Sequence, residues 1–115
     1  MHELSIMTSL MARVCEIAKT EKAEKITAVN LKNGAFSGVI SEALEFCFDV
    51  CAAGTPAEKA MLNIRLVPAM WQCESCGAKV YEVEDKSVPI CPKCAGVKLK
   101  LISGKEFELE SIEVE

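Results

Sequence analysis

Histidine is almost missing from this chain of 115 residues: there is one, His2. No Ser-His-Asp set can be assembled from internal residues, there is no phosphate-cradling Gly-Lys loop, and no metal site with an open ligand position stands on internal residues. No apolar run approaches the roughly 20 residues needed to span a bilayer. No basic stretch precedes an apolar one near the start, so a secretory signal is not expected. Positive charge is also in deficit. Thirteen Lys and Arg face 17 Asp and Glu, a net charge of −4, whereas a nucleic-acid partner wants a basic face for its phosphates. There is no internal repeat beyond a paired cysteine motif, and no low-complexity linker.

Cysteine, by contrast, is plentiful, with seven residues. Four form the pattern C-x2-C, fourteen residues, C-x2-C, at Cys73, Cys76, Cys91 and Cys94. Two residues between paired cysteines let one tight turn aim both sulfurs at a single ion. Two such turns facing each other make a tetrahedral S4 cage that suits Zn2+, although iron fits the same donor set. Gly77 can take the positive φ of the first turn, and Pro92 stiffens the second. Two disulfides would be the competing use, but an odd cysteine count and the absence of a signal point to a reducing cytoplasm. A redox C-x-x-C usually comes singly beside a βαβ pattern. Four thiolates leave no open coordination position, so the site reads as structural rather than catalytic. The other cysteines, Cys15, Cys47 and Cys51, read first as small core hydrophobes, although Cys47 and Cys51, four apart on one helix face, could hold a soft metal.

Half of the residues are apolar, enough for one or two small domains. Met7, Leu10, Met11, Val14, Ile17 and Ala18 follow a 3.6 period and predict an amphipathic helix over 4–22, with Ser5 or Glu3 helping to cap it. A strand follows over 26–33, with Thr27, Val29 and Leu31 on one face. A second helix over 41–53, capped by Ser41, carries Leu44, Cys47, Phe48 and Cys51. Ala43, Phe46 and Val50 broaden the stripe, which predicts burial on more than one side, and Gly54 stops the helix. A strand over 60–68 alternates Leu62, Ile64 and Leu66 with polar residues. Within the cysteine segment, Val80, Tyr81 and Val83 make one short strand and Val97, Leu99 and Leu101 another. The last strand, Phe107 to Val114, changes phase, which predicts a bulge near Glu110 or Ser111. The resulting fold class is α+β: a small β-sheet covered by two helices, with an inserted zinc-ribbon-like domain. Residues 1–70 plus 101–115 would form the first domain and 71–100 the ribbon.

His2 is placed unusually. A terminal amine, the His2 amide nitrogen and the imidazole lie within reach of one ion, closing five- and six-membered chelate rings. The Glu3 amide is next in line. A planar nitrogen set suits Ni2+ or Cu2+ and not Zn2+. The competing reading is a frayed, idle end.

These residues resemble a known family. Met1-His2-Glu3-Leu4-Ser5, Gly34 with Ser37-Gly38-Val39, Glu42-Ala43-Leu44 with Phe46 and Phe48, the two C-x-x-C pairs and the closing Ile112-Glu113-Val114-Glu115 are similar to the HypA/HybF hydrogenase nickel-incorporation proteins. Ile40-Ser41 departs from the Glu-Pro pair often found there, and Ala95-Gly96 departs from the family pattern after the last cysteine; neither is a metal ligand. The resemblance implies a cytoplasmic nickel metallochaperone with no enzymatic activity. It implies nickel at Met1, His2 and Glu3, and zinc at Cys73, Cys76, Cys91 and Cys94. The implied partners are a HypB-type GTPase and the [NiFe]-hydrogenase large-subunit precursor. The rival class is a zinc-ribbon module of nucleic-acid machinery. Trp71 and Tyr81 could stack on bases, but Glu74, Glu82, Glu84 and Asp85 nearly cancel Lys79, Lys86, Lys93, Lys98 and Lys100.

Overall fold

The computed structural model describes residues 2–80 and 90–115. The order of elements is α1 (His2–Thr20), β1 (Ile26–Gly34), α2 (Ser41–Ala52), β2 (Met61–Val67), β3 (Met70–Cys73), β4 (Lys79–Val80), β5 (Leu99–Ser103) and β6 (Phe107–Val114). Two three-stranded sheets result, β2-β1-β6 and β4-β3-β5. The fold class is the α+β arrangement expected from the hydrophobic periods. The radius of gyration, 17.9 Å, exceeds the roughly 13 Å of a compact chain of this length, because the two sheets are separate.

In the first sheet β1 is central, parallel to β2 and antiparallel to β6. The parallel pairing needs a crossover, and α2 supplies it. Both helices cover one face. Met7, Met11, Val14 and Ala18 of α1 and Leu44, Phe48 and Ala52 of α2 close over Ile26, Val29 and Leu31. Met7, Val14, Ile26, Val29, Leu31 and Leu44 are fully buried, and each large apolar side chain contributes about 1.5–3 kcal/mol.

The phase change in β6 is a bulge at Glu110. Ser111 pairs with Asn30 and Leu109 with Leu31, leaving Glu110 unmatched. Its carboxylate accepts from Arg65 Nε at 3.0 Å and Nη2 at 2.9 Å. A second irregularity was not foreseen. Between Ile26 and Ala28 the register of β1 also slips, so Thr27 is exposed and Ile26 takes the buried place expected of it.

Helix α2 differs from expectation in two ways. It is buried on one side only: Phe46 is 75% and Val50 61% exposed. Its N-cap is Ile40, which has no side-chain cap. Ser41 is already helical, and its Oγ accepts from Asn33 Nδ2 at 3.1 Å. α1 likewise starts earlier than the period suggested, so Ser5 sits inside it and Glu3 lies in its first turn. In the second sheet Val97 is exposed and precedes β5. β3, unforeseen within the cysteine segment, is its central strand. Tyr81 and Val83 lie outside the described residues.

The sheets meet at a close backbone approach. A Cβ on Gly34 would lie 2.1 Å from the Gly104 carbonyl oxygen. Phe36 N donates to that same oxygen. Gly104 itself sits at φ 106° against Ala69, where any side chain would collide.

Candidate metal centre

Two matching knuckles build the four-cysteine site. In the first, β3 delivers Cys73 and the chain turns back on itself. The Gly77 amide donates to the Cys73 carbonyl at 2.8 Å, and the Cys73 amide to the Ala78 carbonyl at 2.9 Å. The second repeats this: Ala95 N to Cys91 O at 2.8 Å, and Cys91 N to Gly96 O at 2.9 Å. Both turns end in a left-handed residue, Gly77 at φ 75° and Ala95 at φ 59°. The glycine was legible in advance. The alanine was not, because nothing in its side chain marks that conformation.

The four sulfurs all lie within 4.8 Å of one another. Cys73 and Cys94 Sγ are 3.5 Å apart, and Cys76 and Cys91 Sγ 3.7 Å apart. A tetrahedron with zinc–sulfur bonds of about 2.3 Å has edges of roughly 3.8 Å, so the spacing fits zinc. Cys73 and Cys91 are buried, Cys76 and Cys94 exposed.

The electrostatics call for a cation. The Cys76 amide, helped by that of Ser75, holds the Cys73 thiol down at about 6. The Cys94 and Lys93 amides lower Cys91 in the same way. At Cys94 the Gly96 amide also favours the thiolate, yet the crowding of the sulfurs of Cys73, Cys76 and Cys91, with burial, pushes it up to about 12. Backbone donors thus prepare thiolates that repel one another until a positive ion sits among them.

The terminal residues are placed differently. His2 is exposed and opens α1; Met1 lies outside the described residues. The first four amides of a helix have no intrahelical acceptor, and the Glu3 amide is met by the carboxylate of Glu3 itself. Glu3 is 5% exposed. Its carboxylate accepts from the Ile40 amide at 3.2 Å. The terminal ammonium, with that amide, lowers its pKa from 4.5 to about 2. Asn33, 2% exposed, holds the approach to Ile40. Its Nδ2 donates to the Val39 carbonyl at 3.0 Å as well as to Ser41, and Ser37 Oγ donates to its Oδ1. Sequence reasoning missed Asn33; a polar residue in phase with buried positions at a strand end was the available sign.

Trp71 is half-buried and packs edge-on against Phe36 with ring centroids 5.8 Å apart. No helix among the described residues is long and apolar enough to cross a membrane.

An α+β chain of this size, with a closed four-thiolate cage and an exposed His2 opening its first helix, defines a class of small metal-binding proteins whose cage suits zinc. Residues 1–114 match the family model described as "Hydrogenase/urease nickel incorporation, metallochaperone, hypA". The hydrogenase maturation factor HypA of Geobacter sulfurreducens is 42% identical over 115 residues, covering all of both chains. That of Dehalococcoides mccartyi strain 195 is 38% identical, covering all of this chain and 95% of the relative. A solution structure of a HypA protein superposes with a TM-score of 0.74 at 26% identity, covering 100% of this chain and 97% of the other. The nickel metallochaperone HypA of Helicobacter pylori does so with 0.63 at 27%, covering 99% and 97%. The chain belongs to the HypA family of nickel metallochaperones for hydrogenase maturation.

Proposed function

We propose that this chain carries Ni2+ on the nitrogens of Met1, His2 and Glu3 and delivers it to the [NiFe]-hydrogenase large-subunit precursor, working with a HypB-type GTPase in the cytoplasm. The observation that carries the reading is a family match running from residue 1 to 114 in a chain that opens Met-His-Glu. Hydrogenase is taken as the destination because the curated relatives are named for it. The chain itself has no enzymatic role and no nucleic-acid or membrane partner. Residues 1–70 with 101–115 make the nickel domain, and 71–100 the zinc domain.

A carrier must bind its cargo and let it go. Terminal amine, amides and imidazole form a planar nitrogen set that suits Ni2+. His2 is exposed to solvent, so protonation and partner groups compete for the ion. Cys73, Cys76, Cys91 and Cys94 would hold Zn2+, which supplies folding free energy to a ribbon too small to sustain itself.

The test is nickel titration of three forms: native terminus, one extra residue before Met1, and an extension after Glu115. An extra residue turns the amine into an amide and moves His2 out of chelate register. Nickel affinity should fall by orders of magnitude in that form alone, with zinc content unchanged. Equal affinity in all three would remove the terminal chelate.

A further inference from the structure

We propose that Cys47 and Cys51 form a second metal site, a dithiol that takes a thiophilic d10 cation of the Cu(I) class in the groove between α1 and α2. The inference is independent of the nickel reading.

Both thiols are half-buried and free. Cys47 lines an open, mainly apolar cavity of about 370 Å3 with Glu3, Leu4, Ala43 and Phe46. One turn along, Cys51 Sγ lies 3.8 Å from Thr8 Oγ1. Thr8 already donates its hydroxyl proton to the Leu4 carbonyl at 2.8 Å, so the Cys51 thiol is the donor of that weak contact. The helices run in parallel register here: Glu3 meets Ile40, Thr8 meets Cys51, and Met11 meets Thr55. The two sulfurs therefore share one seam, with the cavity open above Cys47.

Geometry decides what the pair can do. Residues i and i+4 of a helix have Cβ atoms about 5–6 Å apart. A disulfide needs about 3.5–4.5 Å, so oxidation would have to break the helical turn. An intervening ion lengthens the bridge by two metal–sulfur bonds, each on the order of the 2.3 Å of zinc, and the turn can stay intact. Zinc requires four donors; among the described residues, the only cluster of three or more candidate ligands is the other cysteine set. Two thiolates alone suit a soft monovalent ion content with low coordination. In the binding step two thiols lose their protons to solvent and two sulfur–metal bonds form, leaving a bis-thiolate complex of charge −1. No oxidation occurs.

Ag(I), redox-inert and of the same class, is the probe. Zinc-loaded full-length protein is titrated with Ag(I) while native mass spectrometry follows stoichiometry and zinc retention. The first equivalent should bind with zinc retained. Cys47→Ser and Cys51→Ser should each abolish that one-to-one binding. Cys15→Ser should not, because Cys15 lies seven residues beyond Thr8, about 10 Å of helical rise away from the seam. Displacement of zinc by the first equivalent, or binding that survives both substitutions, would overturn the site. X-ray absorption of the silver-loaded wild type decides the matter even if a variant fails to fold. Two sulfurs in the silver shell and an unchanged zinc edge support the pair; three or more sulfurs place silver in the cage and sink it.

Discussion

At Ala95 a side chain occupies the left-handed turn that Gly77 occupies without strain in the sister knuckle. A non-glycine residue there costs about 1–2 kcal/mol. Ala95→Gly should therefore stabilise the second knuckle by about 1 kcal/mol, part of the gain being offset by glycine's greater freedom in the unfolded chain. The checks are thermal unfolding and the chelator concentration that strips the metal. Gly77→Ala should shift both the opposite way. Glu3 makes a second prediction at this scale. Its carboxyl is held at about 2 against an ordinary 4.5. A depressed carboxylate contributes stability that is complete above 4.5 and is lost as pH falls towards 2. Native protein should lose stability across that window on this account, and Glu3→Gln should lose less across it while starting lower. Identical acid profiles for the two proteins would show that the contacts of the Glu3 carboxylate with the terminal ammonium and the Ile40 amide contribute nothing.

At the scale of the element, α2 separates two aromatic residues that look alike in sequence. Phe48 is 2% exposed and Phe46 75%. Phe48→Ala should cost about 3–5 kcal/mol, whereas Phe46→Ala should fall within about 0.5 kcal/mol. Denaturant unfolding of the two variants measures both. Comparable losses would mean that Phe46 is covered. A hydrophobic stripe wider than its partner surface is why sequence overstated the burial of this helix: periodicity reports which residues are apolar, not how much facing surface exists to cover them. The bulge at Glu110 was legible because a phase change within one strand has few other remedies. The slip at Thr27 was not, because Thr27 is itself in phase with Val29 and Leu31, and only pairing to β6 shows that Ile26 takes the buried place. β3 escaped notice because Met70–Cys73 has no alternation to read. The cysteine quartet was fully legible, since its spacing alone fixes the geometry. The Asn33 clamp and the anchoring of Glu3 on Ile40 were not, because both join residues through the fold rather than along the chain.

For the whole molecule, the two sheets draw on different sources of stability. The β2-β1-β6 sheet rests under a helical layer with a contiguous apolar core. Among the described residues, the β4-β3-β5 sheet offers only Cys73, Val80 and Cys91 as buried residues of its own strands and knuckles. A sheet with so little buried apolar surface depends on an ion to close it. Stripping the metal with a chelator should therefore collapse protection of the amides of Trp71, Gln72, Lys100 and Leu101, which lie in the paired registers of β3 and β5. The amides of Val29 and Leu31 in β1 should exchange as slowly as before, and helical circular dichroism should hold. The effect should fade across the junction where Phe36 N bonds the Gly104 carbonyl, since backbone contacts there tie the second sheet to the first without sharing a core. Hydrogen exchange with and without chelator reads all three regions at once. Loss of protection in β1 together with β3 would mean that the molecule folds as one cooperative unit, and that the four thiolates stabilise the helical half as well as their own hairpin.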